Sequence, residues 1–186
     1  MQKGEKPREV MYPDAYPFEL DQDQPKVRSP WYDLQCSRCV SPQEIALVML
    51  QRFKEAFKAL DAEWKESVVA KELRLSLFDF VTLASIVEKE TGAAAERPMI
   101  ASVFVNRLKK RMRLQTDPTI IYGIYLEKGS WDGRIGQAGL DLHSDYNTYR
   151  HDGLPPGPIA NPGLNALKAT LNPAATDFLY FRSEEH

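Results

Sequence analysis

Long hydrophobic runs are missing from this 186-residue chain: no stretch of about 18 uninterrupted apolar residues occurs, so nothing in it is expected to span a membrane. The opening Met1-Gln2-Lys3-Gly4-Glu5-Lys6 is polar and lacks the apolar centre of an export signal. An excess of positive charge is missing as well. The formal net charge is −2, which provides no basic field and argues against nucleic acid as a partner. Cysteine is scarce, with Cys36 and Cys39 forming one isolated Cys-x-x-Cys, half of what a tetrahedral zinc site takes from such pairs. His143, His151 and His186 are scattered, so no metal is expected, and the two thiols read as a local disulfide or as free cysteines in a surface loop.

What the chain does have is 43% hydrophobic residues, enough for one compact domain with a core. Residues 1–40 are proline-rich and irregular, with a short extended piece around Val10 to Phe18. From residue 41 to 186 the pattern is mostly helical. Ser41-Pro42-Gln43-Glu44 has capping-box spacing with proline at the first helical position. The helix it opens carries Ile45, Met49, Leu50, Phe53, Phe57 and Leu60 at three- and four-residue steps, as an inward stripe. Ser76 with Asp79 caps a second helix to about Glu90, closed by Gly92. A third runs from Arg97-Pro98 to about Lys110, with Ile100, Val103, Phe104 and Leu108 inward and Ser102 and Asn106 on its rim. Asp117-Pro118 reads as N-cap and first helical proline of a short helix through Tyr122, with a second catalytic carboxylate as the other reading of Asp117. Residues 124–145, rich in glycine and charge, read as a variable excursion. Gly153 to Gly163, with four prolines and three glycines, is a stiff loop before a last helix that starts at Asn161-Pro162.

The chemistry concentrates in Val87-Glu88-Lys89-Glu90-Thr91-Gly92, where the apolar second helix stops. A carboxyl group held there against packed side chains tends to keep its proton, and a neutral carboxylic acid can protonate a leaving oxygen. That points to cleavage of an acetal or glycoside. At about 100° per residue, positions 88 and 90 project to opposite sides, so they cannot line one cleft together. One is an acid and the other structural, and the helical wheel alone does not say which. Gln115, on an extended piece, is a candidate for binding a sugar hydroxyl or acetamido group, with a turn-stabilising amide as the other reading. Tyr146-Asn147-Thr148-Tyr149 alternates rings and polar groups. On a strand, Asn147 and Tyr149 would share a face suited to a pyranose ring; core tyrosines are the alternative. Asn106 is read as a further contact or as simple rim polarity.

Five ordered blocks carry a resemblance. Leu83-Ala84-Ser85-Ile86-Val87-Glu88-Lys89-Glu90-Thr91, Ala101-Ser102-Val103-Phe104-Val105-Asn106-Arg107-Leu108 and Met112-Arg113-Leu114-Gln115-Thr116-Asp117-Pro118-Thr119 come first. Tyr146-Asn147-Thr148-Tyr149 and Gly153-Leu154-Pro155-Pro156-Gly157-Pro158-Ile159-Ala160-Asn161-Pro162-Gly163 follow. Together they resemble the catalytic domain of the MltG (YceG-like) endolytic murein transglycosylases. The resemblance implies an α+β fold: a lysozyme-like, mainly helical core with a small β-sheet from strands near the two chain ends. It places the catalytic role on the second glutamate, Glu90, with Glu88 in reserve, and needs no cofactor. It implies peptidoglycan glycan strands as substrate, cell wall synthases as possible partners by analogy, and the periplasmic side of the bacterial inner membrane as location. The family's membrane anchor is absent from this sequence. The competing class is a non-catalytic murein-binding module. A true muramidase is a third reading and would need a second carboxylate.

Overall fold

The computed structural model describes residues 41–58 and 60–181, so Cys36, Cys39, His186 and the extended piece expected near Val10 lie outside the described residues. The chain divides into two compact units, residues 1–56 and 57–186. The helices are α1 (Pro42–Lys58), α2 (Asp61–Glu66), α3 (Val68–Leu73), α4 (Leu77–Glu90), α5 (Arg97–Lys109), α6 (Asp117–Lys128), α7 (Gly136–Leu140) and α8 (Leu164–Leu171). None is long and apolar enough to cross a membrane.

Helix α1 starts on the expected capping box: the Ser41 N–H donates to the Glu44 carboxylate at 2.7 Å and the Glu44 N–H donates to Ser41 Oγ at 3.2 Å. Its apolar stripe is not buried as the periodicity predicts, since Met49 and Leu50 are exposed. The periodicity sets the helix but not what covers it.

In the second unit the core is built around α4, which packs against α5, α6 and α8. Its start is a second capping box, with Ser76 Oγ accepting the Asp79 N–H at 3.1 Å and the Asp79 carboxylate accepting the Ser76 N–H at 2.9 Å. Such a cap contributes about 1 kcal/mol. From there Leu83, Ile86 and Val87 pack with Ile100, Ala101, Phe104 and Val105 of α5 and Ala166 of α8, and Phe80, Ala84 and Leu167 are buried as well. Each large apolar side chain in this layer adds roughly 1.5–3 kcal/mol. Helix α4 ends at Glu90 because Thr91 turns extended (φ −151°, ψ 142°), not through the left-handed glycine expected at Gly92.

The fold is helical, and the α+β expectation is corrected: among the described residues no strand forms. The reason is visible at the C-terminal end. The extended stretch from Thr176 has its carbonyls taken by side chains of α5 instead of a partner strand. Asn106 Nδ2 donates to the carbonyls of Thr176 (2.8 Å) and Phe178 (3.0 Å), and Arg107 Nε donates to that of Leu179 (2.7 Å). Ser102 Oγ joins Thr176 Oγ1 at 2.8 Å, and Phe181 stands edge-on to Phe104. Residues 124–145, read as a variable excursion, begin within α6, which continues to Lys128 and stops at Gly129 (φ 73°), and go on into α7.

The stiff loop from Gly153 to Gly163 lies along α4. The buried Ser85 Oγ accepts the Ile159 N–H at 3.0 Å, and a Cβ on Gly157 would come within 3.1 Å of Phe78. The last helix opens at Gly163, two residues after the expected Asn161 cap.

Candidate active site

Glu90 sits half-buried on the last turn of α4. Removal from water raises its carboxyl above the ordinary value, and the negative charge of Asp117 adds to the rise. The Thr116 hydroxyl donates to Glu90 Oε1 and, with the positive charge of Arg107, works in the opposite direction. Burial is the largest of these influences, so Glu90 holds its proton more tightly than a carboxyl group in water.

Three threonines fix that contact. Thr116 is buried, with its N–H donating to Thr148 Oγ1 at 3.2 Å. Thr119 Oγ1 donates to the Thr116 carbonyl at 2.7 Å and lies 2.8 Å from Thr148 Oγ1. One residue before Thr116, the Gln115 N–H donates to the Thr148 carbonyl at 3.2 Å, and the Leu114 carbonyl accepts from Arg107 Nη1 at 2.5 Å. Between these anchors Gln115 is forced into the left-handed region at φ 49°, with its side chain exposed. A non-glycine residue there costs roughly 1–2 kcal/mol, and such strain clusters where a side chain must be held out for use.

The first turn of α6 supplies Asp117, whose Oδ1 accepts the Tyr149 hydroxyl at 2.8 Å. The phenol is pushed up to about 12, by burial first, then by its bond to Asp117 and the negative charges of Asp117 and Glu90. It therefore stays a donor. Among the described residues no group of three or more His, Cys, Asp or Glu side chains could hold a metal ion.

A model of the YceG-like family matches residues 9–186. The chain belongs to the YceG-like family. It is 38% identical over 146 residues to a Bacillus subtilis (strain 168) protein named endolytic murein transglycosylase, covering 78% of this chain and 38% of that one. A Streptococcus pneumoniae serotype 2 protein of the same name is 35% identical over 120 residues, covering 60% of this chain and 20% of the relative. The crystal structure of a YceG-like protein from Listeria monocytogenes matches with a TM-score of 0.69 and 35% identity, covering 86% of this chain and 47% of that one. The chain thus spans less than half the length of each of these relatives.

Of the residues read from the sequence of this YceG-like chain, the structure gathers Glu90 and Tyr149 through Asp117, and sets Gln115 next to Thr116. It sends Glu88 to the other side of α4, as helix geometry requires. There Glu88 Oε1 pairs with Arg97 Nη2 at 3.2 Å and Oε2 accepts the Gly163 N–H at 3.0 Å, tying α4 to α5 and to the start of α8. A hollow of about 440 Å³ lined by Glu63, Pro98, Asn165, Lys168 and Asn172 holds none of the residues around Glu90. Asn106 is committed to the C-terminal segment. Asn147 is fully buried: Nδ2 donates to the carbonyls of Leu140 and Leu142, both at 2.9 Å, and Oδ1 accepts the Tyr149 N–H at 3.1 Å. The Tyr146–Tyr149 stretch is a turn, with the Arg150 N–H donating to the Asn147 carbonyl, so strand alternation does not apply.

Sequence reasoning passed over Thr116, Arg107 and the true position of Asp117 in the YceG-like site. The N-cap of α6 is Thr116, one residue earlier than Asp117, and Thr116 spends its hydroxyl on Glu90 and not on the helix. A threonine directly before Asp-Pro was the available signal. For Arg107 the sequence offers only a cation on an apolar helix.

The strain at Gln115 gives a prediction about stability. Gln115→Gly removes the left-handed penalty and pays back part of it in unfolded-state entropy, for a net gain of about 0.5–1 kcal/mol. Urea denaturation checks this; a variant no more stable than wild type would mean the backbone there is unstrained.

Proposed function

We propose that this chain is the catalytic part of an endolytic peptidoglycan lytic transglycosylase, cleaving the MurNAc–GlcNAc bond inside glycan strands to leave 1,6-anhydro-MurNAc ends. The observation that carries the reading is Glu90: a half-buried carboxyl group at a helix end, gripped by Thr116 and raised above its ordinary value by burial. The name shared by the Bacillus and Streptococcus relatives supports it.

Glu90 donates its proton to the bridging oxygen as the C1–O bond breaks. The resulting carboxylate then takes the proton from the muramic C6 hydroxyl as O6 bonds to C1. The internal hydroxyl replaces water, so one acid that becomes a base suffices, unlike the two-carboxylate route of hydrolases. Gln115 and Tyr149 flank the acid as polar contacts to the aminosugars. Glu88, Asn106 and Asn147 serve from the scaffold. Strand termination on the periplasmic side of the inner membrane, beside the synthases, is the setting this activity fits.

Incubating the chain with purified sacculi tests the reading. Anhydro-muropeptides are the expected product. Reducing ends would make it a muramidase, and binding without product would make it a murein-binding module.

The first step needs protonated Glu90, so kcat/KM holds at low pH and falls as pH rises through Glu90's raised value. Stability follows the same sign. The Glu90 contribution is complete below the unfolded carboxylate range and is lost as pH climbs through the folded value above it. A pH–rate profile whose basic limb lies at or below the ordinary carboxylate range would contradict this.

A further inference from the structure

Asp117 is the carboxylate beside Glu90 that the one-acid mechanism leaves unused. Its place before Pro118 suits a helix cap, yet it caps nothing, because Thr116 holds that position. Its carboxylate instead accepts a phenol from 32 residues along the chain. It has no ion-pair partner among the described residues, although Arg113 and Arg150 pair with Asp152 and Asp141 nearby in sequence to Tyr149. A like charge next to a half-buried acid, offset in part by Arg107, disfavours the ionised form of that acid, an arrangement that calls for a use.

The placement is also over-determined. Residues 144–150 grip the strand-like stretch before α6 twice, through the Thr148 carbonyl to Gln115 and Thr148 Oγ1 to Thr116. The same turn carries Tyr149, whose own N–H is held by Asn147. One turn therefore fixes Thr116, which holds Glu90, and the neighbouring Asp117, whose charge acts on it. The groups acting on Glu90 come from two elements, Thr116 and Asp117 at the start of α6 and Arg107 from α5, while Tyr149 on the turn reaches it through Asp117.

Resting on the transglycosylase reading above, we propose that Asp117, clamped by the Tyr149 hydroxyl, is a positioning residue that acts through Glu90 as its fixed anionic partner. It touches no substrate. When Glu90 has given its proton to the leaving oxygen, two carboxylates face each other; capture of the C6 hydroxyl proton as O6 closes on C1 relieves that opposition and resets the acid. Tyr149 keeps the Asp117 charge aimed while it occurs.

The test is the pH profile of murein turnover in wild type, Asp117→Asn and Tyr149→Phe. Asp117 is exposed, so screening limits its effect. In Asp117→Asn the basic limb moves to lower pH, turnover above the wild-type limb drops roughly threefold to fivefold, and KM stays put. Tyr149→Phe shifts the limb the same way by less. Added salt moves the wild-type limb toward that of Asp117→Asn and leaves the variant's unmoved. A limb that stays where it is in Asp117→Asn overturns the proposal, and so does a raised KM with an unmoved limb, which would make Asp117 a substrate contact. An NMR titration of the Glu90 carboxyl in the same proteins needs no turnover: movement downward in Asp117→Asn supports the coupling, and no movement overturns it. Wild type without anhydro product would instead defeat the transglycosylase reading, leaving the titration to judge Asp117 separately.

Discussion

Replacing Glu90 with glutamine is expected to cut the release of anhydro-muropeptides from sacculi by roughly 10²-fold to 10⁴-fold, the range a positioned proton donor contributes. The amide occupies the same volume and still accepts from Thr116, but it cannot give up a proton at neutral pH. It also cannot ionise. Since burial opposes the charged form of Glu90, the variant should melt no lower than wild type at neutral pH, and higher as pH rises. Thermal unfolding alongside product analysis separates loss of chemistry from loss of fold. A Glu90→Gln protein that still releases anhydro ends at the wild-type rate would move the acid elsewhere on the chain.

The second large effect belongs to Asn147. Changing it to leucine keeps the size and leaves the carbonyls of Leu140 and Leu142 and the N–H of Tyr149 without their partners in a buried turn. Unpaired buried groups cost roughly 1–3 kcal/mol each, so a loss of about 3 kcal/mol is expected even after partial relaxation. For a chain of this size that lowers Tm by roughly 6–12 °C. Activity falls with it, because the same turn carries Tyr149 and Thr148. Were Asn147 a sugar contact instead, the variant would keep its Tm and raise KM.

These two residues mark how far the sequence could be read. The position of Glu90 at the end of an apolar helix, with Glu88 facing away, follows from helix geometry and a run of side chains. The Ser41–Glu44 and Ser76–Asp79 caps follow from chemistry spanning four residues. What was hidden depends on where distant segments meet. Nothing near Asn147 announces that three backbone groups will use up its amide, and nothing near Asn106 announces carbonyls seventy residues away. The missing sheet has the same origin: residues 176–181 have strand-forming side chains, but α5 reaches their carbonyls first. At Thr116 and Asp117 the miss was a single position. The cap lies one residue earlier than Asp-Pro suggests, and that step turns a helix-start aspartate into a neighbour of Glu90.

Arg107 joins ends of the molecule that look unrelated. Its guanidinium holds the carbonyls of Leu179 and Leu114, lies 4.9 Å from the centre of the Tyr180 ring, and its charge reaches Glu90. The C-terminal segment is therefore a tether on the acid's counterweight: peel it from α5 and a buried cation loses its moorings beside the group whose proton matters most. Trimming that looks harmless from the outside would retune the centre.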